Sequence, residues 1–181
     1  EYKKSVGSLD EWLKNLKIKV KIEELNESNI QRTTQLLNKT NQMNLTTRRL
    51  DEQKFNNWIK VSSNNLWTIR AADKFGDYGI IGILSISIKD KVATLVDFIM
   101  SCRVVGRYIE EVMIEFLKEF CNKNNINKIN GKYKKTEKNS LCYHFFKKLK
   151  LINKNKHSFE FSSSQKKINL LNIVVKKPTN R

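Results

Sequence analysis

The sequence predicts an α+β domain in which helices flank a central sheet of mixed but mostly antiparallel strands. Three observations predict it. Short runs of alternating apolar and polar residues recur along the 181-residue chain, the period-two pattern of half-buried strands. Three of these runs follow one another across short polar turns, a spacing that suits antiparallel neighbours. Stretches with apolar residues three and four apart stand before, after and between them, as amphipathic helices require.

Ser8-Leu-Asp-Glu11 is a capping box, and Leu9, Trp12, Leu13 and Leu16 give a short helix an apolar stripe. Ile18, Val20 and Ile22 alternate with polar residues and read as a strand. Asn26 to Leu37 reads as a helix with Ile30, Leu36 and Leu37 inward, followed by a polar loop from Asn38 to Arg49. Asp51 caps a second helix with the stripe Phe55, Trp58 and Ile59. Strands Leu66–Ala72, Gly79–Ile88 and Val92–Met100 come next, joined by the turns Asp73–Asp77 and Lys89–Lys91. The longest helix runs from about Gly106 to Asn124. A short strand near Ile126–Tyr133, a helix from Asn139 to Leu149, and closing strands at Phe159/Phe161 and Ile173–Val175 complete the chain. Trp67 and Tyr78 read as core residues. Residues 1–16 read as an N-terminal helical extension linking to a preceding domain, and 17–181 as the domain itself.

Composition narrows the function. With 39% hydrophobic and 29% charged residues the chain is globular. It lacks an apolar run of the ~20 residues a membrane helix needs, so no membrane partner is expected. The first twenty residues, with Asp10, Glu11 and interspersed lysines, have no signal-peptide core. Three cysteines without a Cys-x-x-Cys pair, and only two histidines, argue against a metal site and for reduced thiols in a cytoplasmic protein. The net charge of +17 is uneven: residues 121–181 hold 16 basic and 2 acidic side chains. Lysine outnumbers arginine 28 to 7, whereas phosphate and base readers favour arginine forks. The expected partner of that basic flank is an acidic protein rather than nucleic acid.

Chemistry concentrates at the strand-to-helix junction around Arg103-Val104-Val105-Gly106-Arg107-Tyr108. A turn there leaves unpaired N–H groups converging at the positive end of a helix, which is a ready anion site. Gly106 permits close approach, and Arg103 and Arg107 supply charge. Cys102, beside Arg103 and ahead of a helix start, is the candidate nucleophile, or else a small buried residue ending a strand. Asp97, a carboxylate inside an apolar strand, either acts as a base or pairs with Arg48, Arg49 or Arg103. His144 is a candidate proton relay or a solvated helix residue. Cys121 and Cys142 read as packing residues.

The order β-α-α-β-β-β-α-β-α-β(β), with an Arg-x-x-Gly turn after the fourth strand, resembles the GNAT acyltransferase fold. In that family the turn holds the pyrophosphate of coenzyme A, and an Asn opening the next helix contacts the pantetheine arm. Asn139 matches that Asn, while Tyr108 replaces a small residue and Phe146 stands where a Tyr general acid is usual. A narrower resemblance rests on Leu37-Asn-Lys-Thr-Asn-Gln-Met-Asn-Leu-Thr-Thr-Arg-Arg49, Phe75-Gly-Asp-Tyr-Gly79 and Phe98-Ile-Met-Ser-Cys-Arg-Val-Val-Gly-Arg107. Together these look like the C-terminal GNAT-like domain of FkbH-like proteins, over roughly Ser8 to Leu151. The resemblance implies a small polar, glyceryl-like acyl group and a phosphopantetheine arm, carried by an acyl carrier protein or by coenzyme A. It also implies a HAD-type phosphatase domain in the same or a partner chain; the Asp-x-Asp motif of that domain is not in this sequence. Asn41, Gln42, Asn44, Thr46, Thr47, Arg48 and Arg49 would face the acyl group. Two other readings remain: a non-catalytic module that docks the carrier protein for the HAD domain, and a basic nucleic-acid binder.

Overall fold

The computed structural model describes residues 10–151, 158–170 and 173–178. The chain opens with helix α1 (residues 10–15), strand β1 (Lys19–Glu24), α2 (Ile30–Lys39) and a two-residue strand β2 (Met43–Asn44). There follow α3 (Glu52–Ile59), β3 (Asn64–Asp73), β4 (Gly76–Lys89) and β5 (Val92–Met100). A 3-10 turn at Cys102–Val104 leads to α4 (Ile109–Lys123), β6 (Lys128–Lys132), α5 (Ser140–Lys148), β7 (Ser158–Ser162) and β8 (Val174–Lys176).

One sheet runs in the order β7-β6-β5-β4-β3-β1-β8, with β2 paired to β5 off that path. The β1–β3, β3–β4, β4–β5 and β6–β7 pairs are antiparallel, and β5–β6 and β1–β8 are parallel. The predicted mixed sheet flanked by helices is therefore what the chain forms. The β4–β5 turn is as tight as the sequence implies: Asp90 and Lys91 both adopt positive φ, the twist a two-residue hairpin needs.

Each face of the sheet packs under its own helices. Val20, Ile22, Trp67, Ile69, Leu84, Leu95 and Phe98 meet Val112, Phe116 and Leu117 of α4 and Phe146 of α5 in the larger core. Leu36, Leu37 and Phe55 of α2 and α3 cover Ile80, Ile83 and Ile99 on the opposite face. The alternation along each strand assigns the two faces. Tyr78 packs at the margin of the larger core rather than inside it. Residues 10–16 belong to the same body: Leu13 and Leu16 are buried, and the Lys74 N–H donates to the Leu16 carbonyl at 3.0 Å. Trp12, placed on the apolar stripe by periodicity, is 47% exposed, while Ser8 and Leu9 lie outside the described residues.

Two helix starts differ from their periodicity. The α2 helix begins at Ile30 because Asn26 and Asn29 are spent on local turns. Asn26 Oδ1 accepts from the Ser28 N–H at 2.9 Å, and Asn29 Oδ1 accepts from the Asn26 N–H at 2.8 Å. The α4 helix begins at Ile109 because Gly106 (φ +80°) and Tyr108 (φ +62°) are left-handed and cannot belong to it. Asp51 caps α3 as predicted, its carboxylate accepting from the Lys54 N–H at 2.7 Å.

Candidate functional site

The strand-to-helix turn is built by burial on one side and left open on the other. Val104 is fully buried and pins the 3-10 turn to the core. At Gly106 no atom lies within 4 Å of where a side chain would begin, so the turn presents backbone to open space. Arg103 is exposed, its Nε 3.3 Å from the Ser101 hydroxyl. Arg107 is engaged within the fold through one of its terminal nitrogens. Its Nη1 donates to Asp73 Oδ2 at 2.7 Å and to the Tyr78 hydroxyl at 2.9 Å, and its guanidinium stacks over the Tyr78 ring. Burial works against the charge of Asp73. Hydrogen bonds from the Tyr78 hydroxyl and the Phe75 N–H, with the Arg107 charge, outweigh it and hold the carboxyl below its ordinary range. Arg107 thus ties the turn to the β3–β4 hairpin.

A pocket of about 310 Å3 opens between this turn and α5. Val105, Gly106 and Tyr108 form one wall, Glu110 and Glu111 the start of α4, and His144, Phe145 and Lys148 the opposite wall. The Gly106 N–H donates to Glu110 Oε1 at 2.8 Å. Glu110 is buried, and burial pushes its carboxyl up to about 7, with the Gly106 N–H pulling the other way. Tyr108 donates toward Asp10 at 3.3 Å; burial and then that carboxylate raise its hydroxyl above the usual phenol value. Lys148 Nζ lies 3.5 Å from Glu111 Oε1.

The floor of the pocket is an inserted strand. β5 pairs with β6 only from Val92 to Leu95, and Val96 is an extra residue that shifts the β4–β5 register. Beyond this bulge β2 takes the place of β6: Met43 faces Met100, Asn44 faces Ile99, and the Leu45 N–H donates to the Phe98 carbonyl at 3.1 Å. On its other edge the Leu45 carbonyl accepts from the Lys134 N–H at 3.0 Å. Met43 lines the pocket, whereas Thr46 lines a second hollow of about 700 Å3. Thr94, Asn130, Lys132, Ser158 and Glu160, which alternate with core-facing residues, also line that hollow. The core residues Leu95 and Phe159 line it too, so the hollow takes residues from both faces of the sheet. Residues 43–46 form a septum between two cavities.

The remaining candidates are dispersed around this arrangement. Asn139 is fully buried and holds the septum: its Nδ2 donates to the carbonyls of Asn44 (3.0 Å) and Lys134 (2.8 Å). Its Oδ1 accepts from the Tyr133 hydroxyl (2.7 Å) and the Thr136 N–H (2.8 Å). Asp97 is fully buried and receives Arg48 in a two-pronged pair, Nε at 2.8 Å and Nη2 at 2.5 Å, with a further bond from the Ser85 hydroxyl. Arg48 also stacks on Trp58. Of the partners proposed for Asp97, the fold selects Arg48. Arg49 closes the end of α2, donating to the carbonyls of Leu37 (2.7 Å) and Thr40 (2.8 Å) and to Asn41 Oδ1 (2.6 Å). Asn44 and Thr47 bond within the loop, Gln42 is exposed, and the Thr46 hydroxyl has no partner among the described residues. Cys102 is exposed at the turn. Cys121 and Cys142 are buried, and burial pushes both thiols up to about 12. His144 lines the pocket, Asp97 belongs to the opposite face of the sheet and Cys102 lies at the turn. Phe146 is buried against Phe98 and Phe159.

Glu110, Glu111 and Lys148 escape sequence reading. Two glutamates opening a helix look like ordinary partners of the helix dipole, and a lysine near a helix end like its complement. Among the described residues no group of three or more His, Cys, Asp or Glu side chains could hold a metal ion, and no helix is long and apolar enough to cross a membrane.

No family model matches the sequence, and no curated protein does. Solved structures do match the fold. A GNAT-family acetyltransferase from Staphylococcus aureus Mu50 aligns at 13% identity over 80% of this chain and 99% of its own, with a TM-score of 0.59. A mutant form of the spermidine/spermine N-acetyltransferase SpeG from Vibrio cholerae gives 13%, 81%, 95% and 0.58. The ribosomal-protein-S18-alanine N-acetyltransferase of Escherichia coli gives 7%, 81%, 96% and 0.58. The chain has the GNAT acetyltransferase fold.

Proposed function

We propose that this domain is an acyltransferase-type module that receives a phosphopantetheine arm, on an acyl carrier protein or on coenzyme A, in the pocket between the turn and α5. The observation that carries the reading is that one 310 Å3 pocket joins the backbone of Gly106 and Tyr108 to His144 and Lys148. Open backbone at Gly106, the exposed Arg103 and the lysine of α5 suit a phosphate group, and Leu13, Met43 and Phe145 suit the apolar arm. Coenzyme A or the carrier-bound arm supplies a thiol. Arg107 and Asn139, both expected to hold it, make hydrogen bonds within the fold through Arg107 Nη1 and Asn139 Nδ2. The resemblance to FkbH-like proteins adds a small polar, glyceryl-like acyl group and a HAD-type domain in the same or a partner chain.

Cys102, exposed at the turn, would hold the acyl group as a thioester and release it to the arm's thiol. The bond between acyl carbon and Cys102 sulfur breaks as the new thioester forms, and Cys102 leaves as a thiolate. His144, on the wall of the pocket, would take the proton of the incoming thiol.

A second reading, the non-catalytic docking module, draws on the filled septum and on Phe146, which offers no proton. Intact-mass spectrometry separates the two. After incubation with a glyceryl thioester of pantetheine, the wild type should gain one acyl mass, Cys102→Ala should gain none, and holo-carrier protein should remove it. Carrier binding with no acyl mass on either protein would favour the docking module.

A further inference from the structure

Glu110 is the second residue of α4 and is 4% exposed, where a first-turn acid ordinarily points to solvent. Its Oε1 takes the Gly106 N–H at 2.8 Å, and its Oε2 has no hydrogen-bond partner among the described residues although it is buried. The side chain lines the same pocket as Gly106 and Tyr108. A donor that an incoming anion would use is therefore already met by an anion of the chain's own. A second negative charge arriving at that N–H would stand beside the first, and at hydrogen-bond distance the two repel each other. A neutral carboxyl has no such conflict, and its hydroxyl at Oε2 would donate to the anion.

We propose that Glu110 is the specificity-determining residue of the turn: as a carboxylate it keeps phosphate-type dianions off the Gly106 N–H, and as a neutral carboxyl it admits them. The inference rests on the arm-binding reading of the pocket. Burial, with Glu111 adding to it, places the Glu110 carboxyl at about 7, so both forms are populated near neutrality. The groups around it come from four elements. Glu111 of α4 is matched by Lys148 of α5, His144 of α5 faces it across the pocket, and Tyr108 of the turn bonds Asp10 of α1. Because His144 shares the pocket, substitutions at Glu110 and at His144 are needed to tell their contributions apart.

Inorganic sulfate is the suitable probe, because it stays dianionic across the range in which Glu110 titrates. The Gly106 amide is followed by 15N–1H NMR during sulfate titrations at about pH 6 and pH 8. With a carboxyl titrating near 7, the competent form falls roughly tenfold between those values, and wild-type affinity should fall with it. Glu110→Gln, a neutral isostere that can still accept from Gly106, should bind at pH 8 about as tightly as the wild type does at pH 6. His144→Gln should leave the tenfold effect in place. Equal sulfate affinity of wild type and Glu110→Gln at pH 8, or a Gly106 amide that sulfate never moves in Glu110→Gln, would overturn the proposal. A parallel titration with coenzyme A tells a free anion from one carried on the arm. If sulfate shows the Glu110 effect while coenzyme A binds to neither protein, the role of Glu110 stands and the arm-binding reading falls.

Discussion

Glu110 gives the residue scale its clearest consequence for stability. The folded protein holds this carboxyl at about 7, against 4.5 for the free group. Between those values the folded state binds more protons than the unfolded chain, so this group's contribution to stability falls as pH rises through the window. The loss is complete above pH 7 and has an upper bound on the order of 3 kcal/mol. Glu110→Gln should therefore match the wild type in thermal melts near pH 5 and melt several degrees higher near pH 8. A wild-type melting temperature that falls no faster than the variant's between those values would contradict the burial argument. The Asp97–Arg48 pair is a different case, because two opposite charges lie 2.5 Å apart and compensate each other. Removing only Arg48 leaves Asp97 as a buried charge without its partner. Arg48→Ala should cost about 3 kcal/mol or more in urea unfolding, and Arg48→Ala/Asp97→Ala together should cost less than the sum of the single variants.

At the scale of elements, the septum is the feature that chain periodicity hides. A two-residue strand has too few positions to show a period, so residues 43–45 read as a polar loop rather than as part of the sheet. Asn139 stood out in the sequence as a candidate contact for the arm and not as the residue that fastens β2, because its partners are carbonyls that any sequence provides. Asn139→Ala should expose those carbonyls and the Thr136 N–H, costing about 3 kcal/mol, and should speed hydrogen exchange at the Leu45 amide before that of β4. Unchanged Leu45 exchange would mean that β2 is held by its own ladder alone. The α4 boundary was displaced by three residues for a physical reason: two left-handed residues interrupt a hydrophobic pattern that begins earlier. By contrast, strand β5 was readable to its ends, since it is an apolar run bounded by the Asp90–Lys91 turn and by the 3-10 turn at Cys102–Val104. Gly131 marks a close approach that the sequence does not announce. A methyl there would collide with the Phe159 ring, so Gly131→Ala should loosen the β6–β7 packing.

For the whole molecule, the sequence was enough for the longer strands, the helices and the fold class, because each depends on runs of many residues. The cavities depend on where single residues of distant elements meet, so Glu110, Lys148 and the septum emerged only from the fold. Charge distribution was legible throughout. The loop between β6 and α5 exposes Lys134, Lys135 and Lys138 beside Asn139, and α5 ends in Lys147 and Lys148. If that flank steers an acidic carrier protein, Lys134→Glu/Lys135→Glu/Lys138→Glu should slow association at low salt by about tenfold and leave coenzyme A affinity unchanged. The central claim, that the pocket reads the pantetheine arm, is met most directly by calorimetry with holo- and apo-carrier protein. The holo form should bind at least tenfold more tightly than the apo form, and the difference should vanish in Arg103→Ala/Gly106→Asp, which removes the free charge and blocks the open backbone. Equal affinity for holo- and apo-carrier would contradict the account, since the arm would then make no contact with the turn.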